Sequence, residues 1–312
     1  MAIAGVAIFV LLLVFVPNLA RPYNLFNIIT QASIYGTMSL GLAFVLITGG
    51  IDISLPATLA MSSVVGVTFM ARSGNWLLGC LLIFAVCLLA GLIKGVSVAV
   101  FHMSPMIVTL AMMKVADGFA KWYTNYESVR GIPPSLIGFF KIRVGGIVPM
   151  YAIVFITLVI ILQFVLTKTT FGRWLYFIGT NPRTALVSGV PVKLAIICAY
   201  LIASLTAGMA GIMLSVQSAS ATARMVSPSM LLDVLAAAVI GGASDRGGRG
   251  TIIGVALGTV VISTTSIALN LLRVDSYPAQ VIKGGIMILA TILDYRLNAT
   301  PARGGKAVVK EA

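Results

Sequence analysis

Long apolar runs dominate this sequence and limit what it can fold into. Runs of about 20 mainly apolar residues recur along the chain, separated by short stretches that hold charges, prolines and paired glycines, and a helix needs about 20 such residues to cross the hydrocarbon core of a bilayer. Of the 312 residues, 59% are hydrophobic and 9% are charged, whereas a soluble domain has about 25% charged residues. The sequence therefore predicts an all-α integral membrane protein and excludes both a soluble enzyme and a disordered chain.

About ten of these runs are candidate membrane spans in one transmembrane domain that covers 1–312. In chain order they are 2–20, 28–50, 56–72, 76–98, 105–123, 148–167, 194–216, 229–243, 251–271 and 279–295. The runs 56–72 and 229–243 are short for a straight crossing, so the predicted polytopic bundle contains broken or half helices. No basic residue precedes the first run, which is therefore interpreted as an uncleaved span rather than a signal peptide.

The basic residues predict an orientation. An even number of spans places both termini on one side of the membrane, together with the segment 168–193 and the tail 297–312. The segment 168–193 carries basic side chains and no acidic one: Lys168, Arg173, Arg183 and Lys193. The positive-inside rule makes that side cytoplasmic. In a chain this apolar, the net charge of +13 is explained by basic loops that fix the orientation in the membrane, and it does not indicate nucleic-acid binding.

Two apolar runs end in paired glycines followed by small polar residues and an aspartate. The first break contains Gly49, Gly50, Asp52 and Ser54, and the second contains Gly241, Gly242, Ser244, Gly247, Gly248 and Arg249. As tight turns near the interface, the breaks would start new helices, with Ser54 as an N-cap and Pro56 in the first turn. As irregular backbone at membrane depth, they would line a solute path. Both interpretations hold if a turn lies partway into the bilayer.

Charged residues and glycines within the runs predict further contacts. Lys114, Asp117 and Lys121 share one helical face, which favours either an intrahelical ion pair or a functional intramembrane charge. Lys94 and Lys283 lie near the ends of runs, where we expect their amines to extend to the interface. Two sets of glycines spaced by four predict close helix packing: Gly91 with Gly95, and Gly250 with Gly254 and Gly258.

Catalytic and metal-binding constellations are not evident in the sequence. His102 is the only histidine, and Cys80, Cys87 and Cys198 lie in apolar runs, where packing is the expected role. Phosphate-binding, zinc-protease and nucleophile-elbow motifs are absent. The sequence therefore predicts no metal site, no cofactor and no enzymatic activity, so uphill transport would need an ion gradient or a partner polypeptide.

The polar segment before the seventh run predicts a short helix. Asn181 is a candidate N-cap and Pro182 the first helical residue, with about two turns before Gly189 at the C′ position. Such a helix could lie on anionic membrane lipid or dock into a soluble subunit. The candidate segment comprises Asn181, Pro182, Arg183, Thr184, Ala185, Leu186, Val187, Ser188 and Gly189.

Five segments together resemble one family. The segments 49–54, 105–110, 172–191, 239–251 and 283–294 are similar, in the same order, to the membrane subunits of bacterial ABC importers of the ribose, xylose and arabinose type. This resemblance implies an inner-membrane permease that pairs with a second permease subunit, identical or not. It also implies two cytoplasmic ATPase subunits and a periplasmic binding protein that delivers a monosaccharide or a similar solute.

The resemblance also assigns roles. The segment 181–189 would couple to the ATPase, and the two glycine breaks would lie beside the solute path. Two alternatives remain open: an ABC permease for branched-chain amino acids or nucleosides, and an ATPase-independent secondary transporter or channel that uses Asp117 or Lys114 as an ion-coupling group.

Overall fold

The computed structural model describes residues 9, 11–226, 228–275, 277–286 and 288 of the chain. Helices form most of this described part. They are α1 (Pro22–Ile47), α2 (Leu55–Ser73), α3 (Trp76–Ala99), α4 (Pro105–Thr124), α5 (Pro134–Lys141), α6 (Met150–Lys168), α7 (Thr170–Thr180), α8 (Pro182–Val187), α9 (Val192–Ser218), α10 (Pro228–Ile240) and α11 (Ile252–Leu271). Residues 277–286 are also helical.

The β-structure of the described residues consists of two short antiparallel pairs. Its strands are β1 (Val129–Arg130), β2 (Arg143–Val144), β3 (Val148–Pro149) and β4 (Ser220–Ala221). Strands β2 and β3 form a local hairpin, whereas β1 pairs with β4, so that Val129 lies opposite Ala221. The pairing of β1 with β4 brings the connection after α4 next to the connection after α9, at one end of the bundle.

Helix length and apolarity identify the protein as a polytopic membrane protein. Six of the described helices are long and apolar enough to cross a bilayer, namely α1, α2, α3, α6, α9 and α11. Helix α4 has a spanning length of 20 residues but carries three charges, and α10 is a shorter apolar helix. The predicted runs 2–20 and 279–295 lie partly, and the tail 297–312 wholly, outside the described residues.

The predicted all-α class is confirmed, while several boundaries differ. Helix α1 begins at Pro22, before the predicted start at 28, because a proline is favourable in the first turn. Within the segment 168–193 the structure has two helices, α7 and α8.

The most deeply buried helices are those with small polar side chains. In the most apolar stretch of each helix, 83% of α1 is buried, against 33% of α3 and 28% of α6. Helix α1 tolerates this position because its hydroxyl groups donate to carbonyls one turn earlier, as in the 2.7 Å bond from Thr37 Oγ1 to the carbonyl oxygen of Ser33. The exposed leucines and isoleucines of α3 and α6 are suited to face lipid.

Glycines let the helices approach closely, as their spacing predicts. A methyl group on Gly95 of α3 would lie 2.9 Å from the Cα of Ile197 in α9. Methyl groups on Gly254 and Gly258 of α11 would overlap the carbonyl oxygens of Gly241 and Ala237. Gly250 is not part of this face, because α11 begins only at Ile252.

We expect Gly258→Ala to lower the thermal unfolding midpoint of the purified protein, because the added methyl group would force α10 and α11 apart at a cost of about 1–3 kcal/mol. The matched control is Gly118→Ala on α4, where nothing lies within 4 Å of the added group. This control should leave the midpoint unchanged or raise it, since alanine favours helix. Equal losses in both variants would contradict the packing described here.

Candidate functional site

The first glycine break lies inside the bundle rather than at its end. After α1 the chain turns at Gly49 (φ +82°), and Ile51 then accepts a 3.3 Å hydrogen bond on its carbonyl oxygen from Thr109 Oγ1. Thr109 lies about 6 Å along α4 from its first residue, at about 1.5 Å per residue. A methyl group on Gly50 would lie 3.1 Å from the hydroxyl of Tyr200, which is about 12 Å along α9. These contacts, well inside α4 and α9, favour irregular backbone within the bundle over a tight turn at the interface.

A fully buried ion pair holds this break. Lys94 Nζ of α3 lies 2.6 Å from Asp52 Oδ2 and donates to Ser54 Oγ at 2.9 Å. Asp52 Oδ1 accepts hydrogen bonds from the backbone N–H and the hydroxyl of Ser54, at 2.9 and 2.6 Å. The side chains of Asp52 and Lys94 are 0% exposed. A buried charge needs such compensation, so the three residues act as one unit at the start of α2.

This unit corrects two predictions. The expected extension of Lys94 to the interface is wrong, because Asp52 compensates its charge in the interior. Ser54 occupies the N-cap position of α2, but its side chain makes no capping hydrogen bond because the hydroxyl donates to Asp52. Pro56 does lie in the first turn, as predicted.

The second break folds against the first. The backbone N–H of Gly248 donates to the carbonyl oxygen of Ile47, at the end of α1, over 2.8 Å. A methyl group on Gly247 would lie 2.8 Å from the carbonyl oxygen of Gly179 in α7 and 2.9 Å from the nitrogen of Gly49. Three separate parts of the chain therefore meet backbone to backbone. We call Gly49, Gly179, Gly247 and Gly248 the glycine junction.

Side chains and turns reinforce the glycine junction. The hydroxyl of Tyr176 in α7 donates to the carbonyl oxygen of Gly250 over 2.6 Å, and burial raises the pKa of this hydroxyl above its usual value, so it stays a donor. Ser244 closes the loop by donating its backbone N–H to the carbonyl oxygen of Arg249. The Arg249 side chain itself is exposed.

The remaining predicted residues of the second break lie on its α10 side. Gly241 packs against Val255 of α11, and Gly242 adopts a left-handed conformation with φ +88°.

The predicted short helix is confirmed as α8. Asn181 Oδ1 accepts hydrogen bonds from the backbone N–H groups of Arg183 and Thr184, at 3.0 and 3.1 Å. The helix starts at Pro182 and ends at Val187, with Ser188 as its C-cap and Gly189 at φ +79°. Ala185 is buried, whereas Leu186 and Val187 are 66% and 89% exposed. These two side chains form an apolar patch directly after α7, and α7 contributes to the glycine junction.

Two further ion pairs involve charges that the sequence analysis singled out. Lys121 Nζ lies 2.6 Å from Asp117 Oδ2, which confirms the intrahelical pair. Lys283 Nζ lies 2.9 Å from Asp233 Oδ2 of α10, so the expected extension of Lys283 to the interface is wrong. Asp233 was not among the residues predicted from the sequence. Its position within the apolar run 229–243 was the available signal.

A cavity of about 400 Å³ lies between α2, α4 and α10. The residues Ile53, Pro56 and Ala57, at and after the first break, form one side, and Lys114 and Asp117 of α4 form the other. The described residues contain no group of three or more His, Cys, Asp or Glu side chains that could hold a metal ion.

Comparison with known proteins places the chain in a family. The family described as "Branched-chain amino acid transport system / permease component" matches residues 24–291, a range that includes both breaks, α8 and the cavity. The chain belongs to this permease family. The permease is thus a multi-pass membrane transport protein.

Several curated relatives match most of the permease. The ribose import permease protein of Bacillus subtilis is 35% identical over 287 residues, which cover 91% of the permease and 88% of the relative. The L-arabinose ABC transporter permease protein of Azospirillum brasilense is 32% identical, over 91% and 83% of the two chains. The galactose/methyl galactoside import permease protein of Haemophilus influenzae is 31% identical, over 89% and 88%. No solved structure shows a significant match to the permease.

We expect Lys94→Met to destabilise the permease by about 3–5 kcal/mol, because it leaves Asp52 buried without its counter-charge. The measurement is the thermal unfolding midpoint of the purified protein in detergent. Lys168→Met, at the exposed end of α6, is the matched control and should have little effect.

A double variant tests the pairing itself. Asp52→Asn combined with Lys94→Met should cost less than the sum of the two single changes, because the double change leaves no unpaired charge. Strictly additive losses would show that the two side chains do not stabilise each other.

Proposed function

We propose that the permease is the membrane-spanning subunit of an ATP-binding cassette importer that carries a monosaccharide or sugar-like solute across the bacterial inner membrane. The observation that carries this proposal is the backbone contact of α7 with the second break and with the end of α1. The second break in turn contacts Gly49 of the first break, so these contacts link the exposed apolar patch of α8 to the backbone beside the cavity. The relatives are named as permeases for ribose, arabinose and galactose, and these names support sugar as the solute class. The family description supports branched-chain amino acids as the second candidate.

The coupling step runs through α8. In this proposal, Leu186 and Val187 insert into a cleft of a cytoplasmic ATPase subunit, and the basic side chain of Arg183 lies at the rim. Apolar anchors of this kind, exposed before assembly and buried after it, carry most of the energy of an interface. The Asn181 cap fixes the direction of α8 relative to α7, so that a displacement of α8 is passed to α7.

The transmission step runs through the glycine junction. Backbone atoms of α7, the second break and the end of α1 are in direct contact, without long side chains between them that could absorb a small movement. When ATP binding closes the partner subunits, α7 carries the two breaks with it. Helix α2, held at Asp52 and Ser54, then changes its position beside the cavity. The permease thereby alternates between outward-open and inward-open states.

The proposed topology has ten spans with both termini in the cytoplasm. It places the glycine junction, the segment 168–193 and the tail 297–312 on the cytoplasmic side. It places the paired strands β1 and β4 on the periplasmic side, where a binding protein would deliver solute. A second permease subunit, identical or different, completes the path. The second break is in backbone contact with both α7 and Gly49 of the first break, which supports a common side for these segments.

The permease and its partner ATPase would have different chemical roles. The permease itself needs no catalytic residue, because ATP hydrolysis takes place in the partner ATPase, and a neutral sugar needs polar groups rather than a bound cofactor. The ATPase-independent alternative would use the amine of Lys114 or the carboxylate of Asp117 as a coupling group. That carboxylate already pairs with Lys121 at 2.6 Å, which favours the ATPase-driven mechanism.

The decisive experiment targets the apolar patch. We expect Leu186→Asp with Val187→Asp to weaken binding of the ATPase subunit by about tenfold or more, as when an anchor worth about 2 kcal/mol is lost. Uptake of radiolabelled D-ribose, L-arabinose or D-galactose by proteoliposomes that contain the permease, its ATPase and its binding protein should fall in parallel.

The matched control is Ile147→Asp. Ile147 is 81% exposed and lies in the β2–β3 hairpin before α6, so it exposes an equally apolar side chain away from α8. This variant should retain ATPase binding and uptake. Undiminished uptake in the Leu186/Val187 variant would refute the coupling role, and uptake by the permease alone, driven by an ion gradient, would refute the ATPase-driven mechanism.

A further inference from the structure

Helix α4 carries a charged face across the proposed membrane region. Lys114, Asp117 and Lys121 are spaced at i, i+3 and i+7 in this 20-residue helix, and α4 is not among the six described helices that are apolar enough to span on composition alone. Ionisable side chains at membrane depth face protein or a water-filled cavity, because hydrocarbon solvates charge poorly. The charged face of α4 therefore requires a polar neighbour.

The cavity between α2, α4 and α10 provides that neighbour. Its volume of about 400 Å³ lies within the range of roughly 300–1,000 Å³ that is usual for small-molecule sites. Lys114 and Asp117 line it directly, and Ile53 and Ala57 form the wall opposite them. Ile53 lies between Asp52 and Ser54, so the buried ion pair with Lys94 fixes this wall in place.

The charges around the cavity do not cancel. Asp117 is neutralised by Lys121 over 2.6 Å, whereas the exposed Lys114 forms no hydrogen bond or ion pair with any other described residue. An ammonium group has three donors and no acceptor. The groups that Lys114 can bind are therefore oxygen acceptors, such as hydroxyl groups and carboxylates, and its free charge repels cations.

We propose that this cavity is the water-filled part of the solute path and that Lys114 contacts the solute there. It selects oxygen-rich solutes that are neutral or anionic, such as sugars and sugar acids, and disfavours cationic ones. This inference rests on the proposed function, to which it adds a contact residue and a solute class.

The test measures the electrostatic potential of the cavity with charged thiol reagents. Met113 lines the cavity and is half-buried, so Met113→Cys is introduced into a full-length permease whose partly exposed Cys80 and Cys198 are replaced by serine. The parent without Met113→Cys reports any reaction of the buried Cys87. Anionic sulfonatoethyl and cationic trimethylammonioethyl methanethiosulfonate are then compared in membrane vesicles, with each rate normalised to that of a free thiol.

We expect both reagents to react and the anionic one to be preferred. Lys114→Met should lower the ratio of the anionic to the cationic rate by about 25-fold, because a unit charge about 4 Å away in water changes each rate about fivefold and the two reagents respond in opposite directions. Lys114→Arg should preserve the ratio. Lys168→Met, which removes an exposed lysine at the end of α6, should leave it unchanged. A cysteine at Leu89, which is 60% exposed on α3 and faces lipid in this proposal, should react with neither reagent.

Two outcomes would overturn the inference: a Met113→Cys variant that is unreactive toward both reagents, or a rate ratio that Lys114→Met leaves unchanged. The labelling needs neither ATP nor a binding protein. A permease that imports sugar with its ATPase but shows either outcome would therefore refute this inference alone, whereas ATP-independent uptake by the permease would refute the proposed function.

Discussion

The organisation of this permease depends on a buried charge that is compensated in the interior. Lys94 lies on α3 and Asp52 in the break before α2, and both side chains are 0% exposed. In a bundle surrounded by hydrocarbon, neither charge has access to water, so each is tolerable only beside the other. The pair therefore fixes the point at which the chain leaves α1 and enters α2. Because Ile53 lies between the two residues of the break that bind Lys94, the same pair positions one wall of the cavity.

The second organising constraint is the close approach of backbones at the glycine junction. Irregular backbone at membrane depth is tolerated only where protein or water satisfies its polar groups. Here the N–H of Gly248 reaches the carbonyl oxygen of Ile47, so one break satisfies a free carbonyl group at the end of α1. Glycine is required because side chains at Gly179 and Gly247 would collide with backbone atoms of their neighbours. The junction thus connects α7, and with it α8, to the break that carries Asp52.

Local features were predictable from the sequence because their causes are local. The Asn181 cap, the proline at the start of α8 and the left-handed Gly189 follow from hydrogen bonds and backbone preferences within a few residues. The ion pair between Asp117 and Lys121 follows from helical periodicity. The expectations for Lys94 and Lys283 failed for the opposite reason. Their partners lie 42 and 50 residues away in sequence, and no periodic pattern connects them.

The sequence by itself determined that this protein is an all-α membrane protein, because runs of about 20 apolar residues satisfy their backbone polar groups in lipid as helices. It also placed both glycine breaks and the short helix of 182–187. Only the tertiary structure decided that the two breaks meet, that α7 joins them to α8, and that Lys94 turns inward to Asp52. The physical reason is that charge compensation and backbone contact in a medium of low polarity depend on which distant segments pack together, and a single sequence does not specify this.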